Sequence, residues 1–251
     1  MPSPAPPRPV VAINMALTAD AKIATANRAV TSFGSAADHA HLYALRATAD
    51  AVMTGAGTIN AQPEIQLSPG AAKYRRQRLR AGLAEYNLRI IVSGSGRVNL
   101  DSEIFRHHFS PLIILTTRDA GANRLRALRA AADTVKICGD KKINFTRALR
   151  WLHSEWGVKR LLCEGGGELN DALFRENLVD EIHLTLCPRL FGGRTAPTLA
   201  DGLGAPILAA AAQFQLHSRR RRGDELFLVF HALRQPTTSQ RRRSKRDLYW
   251  R

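Results

Sequence analysis

Arg160-Leu161-Leu162-Cys163-Glu164-Gly165-Gly166-Gly167-Glu168-Leu169-Asn170 is the stretch that decides how this chain is read. An apolar run ends in an acid and three glycines. Leu169, Leu173 and Phe174 then follow at i, i+4 and i+5, the spacing of one apolar helical face. A strand that stops at glycines and feeds a helix gathers free backbone N–H groups and the positive end of the helix dipole at one point. Such a point takes anions, and glycine lets a phosphate approach the backbone where a side chain would bar it. Glu164, at the strand end, would hold a polar ligand beside that phosphate. A tight turn in an α/β protein explains the same residues, because short glycine motifs recur by chance.

Working outward, Phe145, Ala148, Leu149, Leu152 and Trp156 mark an amphipathic helix with Asn144 as its cap. Apolar runs at 10–16, 51–54, 89–92, 112–115, 134–138 and 180–186 read as strands, with helices over 35–48 and 119–132 between them. This alternation predicts an α/β fold with a mixed, mostly parallel sheet and helices on both faces. Residues 214–218 and 225–230 read as a closing antiparallel hairpin, with Arg219 to Arg222 and Gly223 in the connection. One domain over 9–233 is expected. Residues 1–8, rich in proline and without the apolar core of a signal peptide, read as a disordered lead-in, and 234–251 as a basic disordered tail.

The totals narrow the classes. With 251 residues, 45% of them hydrophobic, the chain can bury one sizeable core. No apolar run approaches the ~18 residues of a membrane span. Cys138, Cys163 and Cys187 are odd in number and each ends an apolar run, which predicts buried reduced thiols and a cytoplasmic setting. No CxxC or HExxH cluster points to a metal. His39, His41, His107 and His108 read as surface residues. The net charge of +16 is concentrated in three places: the tail, Lys73 to Arg80, and Arg219 to Arg222. Each reads as a solvated face or as an attractor of phosphates and polyanions.

Ligands of open α/β sheets bind beyond the carboxyl ends of the strands. Three such ends carry glycines and hydroxyls: Gly55-Ala56-Gly57-Thr58, Ser93-Gly94-Ser95-Gly96 and Glu164-Gly165-Gly166-Gly167. Together they could cradle a dinucleotide, although the first strand lacks GxGxxG.

The order of motifs resembles that of the riboflavin-biosynthesis pyrimidine reductases. Asn14 to Ala24 is similar to their N-x-x-M-T-x-D-G-K-x-A, and Leu45 to Thr58 to L-R-A-x-x-D-A-x-x-x-G-x-G-T. Glu164 to Asn170 with Leu178-Val179-Asp180-Glu181 resembles E-G-G-G-x-L-N and L-V-D-E. Pro188 to Thr198 with Asp201-Gly202 resembles P-x-x-F-G-G-x-x-A-P-T and D-G. The resemblance covers about residues 9–232. It implies a dihydrofolate-reductase-like fold, a homodimer, NADPH as hydride donor and a phosphorylated ribosylamino-pyrimidine as substrate. The implied cofactor residues are Ala16, Thr58, Ser93, Gly94, Gly165, Gly166, Gly167, Glu168 and Leu169. Asn14, Arg46 and Glu164 would hold substrate, with Arg46 at its phosphate, and Asp20 and Glu164 would serve catalysis.

The chain also departs from the family pattern. Ala21 stands where the family has glycine, Thr31-Ser32-Phe33-Gly34-Ser35 replaces W-I-T-S, and Ala61-Gln62-Pro63 lacks the family's acid. The H-x-E…P-C-x-x-C deaminase signature is missing, so a stand-alone reductase is expected. Two other readings are a dihydrofolate or pteridine reductase and a polyanion-binding protein on a degenerate reductase fold. The first calls for a buried acid in the first helix, which the sequence does not make evident. The second predicts steeply salt-dependent binding to nucleic acid through the Arg-rich tail and its Tyr249 and Trp250.

Overall fold

The computed structural model describes residues 7–28 and 33–233. The elements are β1 (Val10–Thr18), α1 (Ala36–Arg46), β2 (Ala51–Gly55), α2 (Ala56–Ala61), α3 (Ala72–Arg80), β3 (Leu88–Ser93), α4 (Glu103–Arg106) and β4 (Leu112–Thr116). There follow α5 (Gly121–Ala131), β5 (Thr134–Ile137), α6 (Phe145–Trp156), β6 (Arg160–Cys163), α7 (Gly167–Arg175), β7 (Glu181–Cys187), β8 (Phe214–Arg222) and β9 (Glu225–Ala232). All the strands join one sheet in the order β5-β4-β3-β2-β6-β1-β7-β9-β8. From β5 to β7 the pairs are parallel, and β9 is antiparallel to both β7 and β8. The mixed, mostly parallel sheet with a closing hairpin is what the alternation predicts.

Strand periodicity sorts the core into two layers. Val11, Ile13, Met53, Ile90, Leu161 and Cys163 face α6 and α7, meeting Ala148, Leu149, Leu152 and Leu173. On the other face Val52, Ile91 and Ile114 meet Ile59, Ile104 and Leu128, while Ala12 and Leu162 meet Leu45 of α1. Burial on both faces is why these strands read as unbroken apolar runs, and each fully buried Ile or Leu contributes about 1.5–3 kcal/mol. Helix α6 starts where Asn144 Oδ1 accepts the Arg147 N–H at 2.8 Å and stops at left-handed Gly157. All three cysteines are unpaired and buried, and burial pushes the Cys163 thiol up to about 12.

Several expectations are corrected. The arginines at 219–222 do not lie in a connection: β8 runs through Arg222, whose register partner is Glu225, and the two-residue turn Gly223-Asp224 closes the hairpin. This edge strand is exposed over its arginines, and charge on an edge resists further strand pairing. After β2, α2 starts at once and carries Thr58. Within the basic run at 73–80, Arg78 is buried and donates to the carbonyls of Arg46, Ala49 and Ala84, closing the C-terminal end of α1. His41 is not a surface residue. Its ring packs 5.7 Å from His183 and 5.4 Å from Phe227, and burial lowers its pKa to about 4. Arg8, in the expected lead-in, is ion-paired with Asp180 at 2.7 Å. Residues 1–6, Thr31, Ser32 and the tail 234–251 lie outside the described residues. Among the described residues, no helix is long and apolar enough to cross a membrane.

Candidate active site

The site is built where β6 ends. Glu164 continues the strand by one residue, its N–H donating to Met53 O at 2.8 Å, and α7 begins three residues later. Gly166 occupies the N-cap of α7 with extended backbone (φ −90, ψ 172) and offers no side-chain cap. The first N–H groups of this nine-residue helix are therefore left for an outside acceptor.

The three glycines differ in what demands them. A Cβ on Gly165 would meet Leu169 Cδ2 at 2.9 Å and Cys163 Sγ at 3.1 Å. One on Gly167 would meet Asp201 Oδ2 at 2.5 Å and the Thr198 carbonyl at 2.7 Å. Those two glycines are required by packing. At Gly166 the nearest atom is Thr58 Oγ1 at 3.6 Å, ordinary contact. Nothing inside the protein forbids a side chain there, and Gly166 lines an open cleft.

That cleft, of about 750 Å³, lies over the carboxyl ends of β1, β6, β2 and β3. It brings together Thr58, Ser93, Gly94, Glu164, Gly165, Gly166, Gly167, Glu168 and Leu169, nine of the residues singled out from the sequence. Gln62, at the position of the missing family acid, lines it too. So do Arg28, Arg97 and Lys142, three exposed cations that sequence reasoning did not select. Arg97 carried a signal, since it follows the Ser93-Gly94-Ser95-Gly96 strand end directly. Arg28 and Lys142 carried none.

Asn14, Ala16, Asp20 and Arg46 are not in the cleft lining. Arg46, expected at a phosphate, is buried at the C-terminal end of α1 and engaged elsewhere. Its Nε and Nη2 donate to the two oxygens of Glu164 at 2.7 and 2.6 Å, and its Nη1 to the Ser68 carbonyl at 2.7 Å. Burial pulls the guanidinium pKa down, but the charge and hydrogen bonds of Glu164 outweigh it and the net shift is upward. The fork fixes Glu164 as an oriented carboxylate at the cleft wall.

Asp20 latches a loop. It accepts from Thr18 Oγ1 at 2.5 Å and from the N–H groups of Phe191 and Gly192 at 3.3 and 2.7 Å. The Thr18 hydroxyl, followed by those backbone donors, holds its carboxyl below the usual range against the opposing effect of burial. Next to it, Ala21 adopts φ +60, the left-handed conformation that glycine takes without cost. Ala21→Gly is therefore expected to stabilise the protein by about 1 kcal/mol, or about 2–4 °C in Tm. A lower Tm in a thermal melt of that variant would show that Ala21 is unstrained.

Asn14 lies on the α1 face of β1, buried, with its Oδ1 lacking any partner. A buried acid is present in the first helix after all: Asp38, missed in the sequence, sits on α1. Burial first, and the charge of Glu225 with it, raise its pKa. Its place is against β7 and β9, outside the cleft lining, so it lends no support to a pteridine site in the cleft.

Known proteins resemble this chain over most of its length. The family model described as the RibD C-terminal domain matches residues 9–228. A 2,5-diamino-6-ribosylamino-4(3H)-pyrimidinone 5′-phosphate reductase of Archaeoglobus fulgidus is 34% identical over 195 residues, covering 78% of this chain and 87% of that protein. The protein of the same name from Methanothermobacter thermautotrophicus is 30% identical over 224 residues, covering 89% and 98%. Among solved structures, a pyrimidine reductase-like protein of Corynebacterium diphtheriae shares the fold, with a TM-score of 0.75 at 19% identity over 90% of this chain and 93% of its own.

Proposed function

Because the chain belongs to the RibD C-terminal domain family, we propose that it is an NADPH-dependent reductase acting in riboflavin biosynthesis. Its substrate is 2,5-diamino-6-ribosylamino-4(3H)-pyrimidinone 5′-phosphate, named for the relatives in archaea, and the ribosyl group is reduced to ribityl. The observation that carries this reading is the pairing of an uncapped helix start, bared at Gly166, with an oriented carboxylate at Glu164 in one cleft.

The residues fit the cofactor. The N–H groups at the start of α7 would hold its pyrophosphate, with Thr58 opposite, and NADPH when bound supplies the hydride. The chain's own part is positioning and electrostatics. Ring opening of the ribosylamine leaves an imine that gains positive charge on protonation, and the fixed negative charge of Glu164 favours that cation. Arg46 positions Glu164, and Asp20 positions the loop around 189–193. Arg28, with no acceptor for its guanidinium among the described residues, is the cation free to meet the substrate phosphate at the β1 end of the cleft. The three buried, unpaired thiols suit a reducing cytoplasm, and a homodimer is the assembly expected from the resemblance.

The test is NADPH oxidation by the purified protein with the diamino-pyrimidinone and the deaminated uracil in separate assays. Turnover of the first is expected. Turnover of the uracil alone would reverse the substrate assignment, and turnover of neither would overturn the reading. In Arg28→Ala, KM should rise for the phosphorylated substrate and stay unchanged for its dephosphorylated form.

A further inference from the structure

We propose that α1 and the sheet enclose a buried water site, lined by Asn14, Asp38, His183 and Thr185, and that this water seats the helix whose last residue, Arg46, fixes Glu164. The site lies outside the cleft, and its direct test does not depend on which cofactor or substrate the cleft takes.

The sheet supplies the floor. Ala12 of β1 and Leu162 of β6 meet Leu45 of α1. Asn14 and Glu164 stand two residues further along those strands and so face the same helix. His183 of β7 is the register partner of Asn14, and its ring lies 5.7 Å from that of His41 on α1. Ile182 and Leu184 turn to the opposite core, which leaves Glu181, His183, Thr185 and Cys187 as the alternate residues under α1. The helix thus rests on aliphatic side chains over β1 and β6 but on a polar stripe over β7. Asp38 stands three residues before His41, on the same side of α1, and lies close to Thr185 and Glu225. Gly34 leaves it room, since a Cβ there would strike Asp38 Oδ2.

Hydrogen bonding then calls for an occupant. Asn14, Asp38 and His183 are 7–8% exposed and Thr185 is fully buried. Yet Asn14 Oδ1, Asp38 Oδ1, His183 Nδ1 and Thr185 Oγ1 have no partner among the described residues. The neighbouring acids are engaged: Glu181 pairs with His183 Nε2 at 3.2 Å, and Glu225 accepts from the Ser35 N–H and Oγ at 2.8 and 2.5 Å. Buried polar atoms almost always find a partner, and where the protein offers none, ordered water does. With Nε2 donating to Glu181, His183 Nδ1 is an acceptor, as are the Asn14 and Asp38 oxygens, while Thr185 Oγ1 can donate. A pair of water molecules, each making about three hydrogen bonds, can satisfy that set. A cation is a poorer occupant. The positive charges of Arg220 and Arg222 reach His41 in the same layer, and among the described residues no group of three or more His, Cys, Asp or Glu could hold a metal ion.

The consequence falls on the active site. Helix α1 starts after Ser35, which Glu225 clamps, and ends at Arg46, whose fork holds Glu164. Between those ends the water replaces aliphatic packing, so it sets the height of the helix above β7 and the place of Arg46 with it. Asn14 and Thr185 are in this sense positioning residues for the carboxylate, and neither lines the cleft.

The experiment is a protein–water NOE measurement on the intact protein, with steady-state kinetics and an NADPH titration of its variants. Long-lived water contacts to the Thr185 methyl and the His183 ring are expected in the wild type. Thr185→Val keeps the shape and removes the hydroxyl, so the contacts at the His183 ring should be lost. That variant should lower kcat about tenfold by moving Arg46 and Glu164, while Kd for NADPH, which depends on α7, stays within about twofold. Thr185→Ser should restore both the water and kcat. Absence of long-lived water in the wild type, or an unchanged kcat in Thr185→Val, would overturn the proposal.

Discussion

Replacing Gly166 by valine is expected to raise the Kd for NADPH at least about 100-fold, since two or more charge-assisted N–H contacts would be lost. Thermal unfolding should stay within about 2–4 °C of the wild type, the equivalent of about 1 kcal/mol. The reason lies in what each glycine answers to. Gly166 has extended backbone that any residue adopts and no internal neighbour closer than 3.6 Å, so the only thing a side chain would displace is a ligand. Gly167→Ala is the contrast: its Cβ would meet a backbone carbonyl at 2.7 Å, so stability should fall there. Retained NADPH affinity in Gly166→Val would remove the cradle from this site.

Arg46→Ala is expected to cost about 3–5 kcal/mol of stability, the usual result of leaving a buried carboxylate without its partner. It should also lower kcat/KM by about 100-fold or more, because misplacing a catalytic group is costly. The loss should fall mainly on kcat, since Arg46 touches Glu164 and not the cleft. Glu164→Gln combined with Arg46→Ala should recover part of the stability, because the stranded charge is gone, and none of the activity. A calorimetric double-mutant cycle with steady-state kinetics reads both. If the kinetic effect proved confined to KM, and only for the phosphorylated substrate, Arg46 would return to the phosphate.

The order of strands and helices was legible because parallel strands buried on two faces leave continuous apolar runs, as at Val52, Ile91 and Ile114. The arginines of β8 were not, since nothing local marks four charged residues as a strand. Pairing with β9 makes them one, and an edge position keeps them in water. In the site, Glu164 and the glycines stood out by themselves, and so did Arg46. That Arg46 and Glu164 hold each other across 118 positions was not visible, because it depends on α1 lying over the end of β6. Asp38 escaped notice because a helical acid normally faces solvent. Here the helix covers Thr185 and His183, a polar patch of the sheet.

Strand β6 sits between β1 and β2, although it starts at Arg160, far beyond the end of β1 at Thr18 and of β2 at Gly55. While the chain is being synthesised, β1 has no partner on that side until residue 160 has emerged. The block from β2 to β5 can pair earlier, but it waits with an open edge at β2. The strand that joins the halves is also the one that delivers Glu164 and the start of α7. Joining the two halves of the sheet and bringing Glu164 and the glycines to the cleft are therefore a single event. A chain shorter than that point lacks Glu164 and the glycines, and joining the halves is a long-range pairing step that leaves the edge of β2 open until it is made.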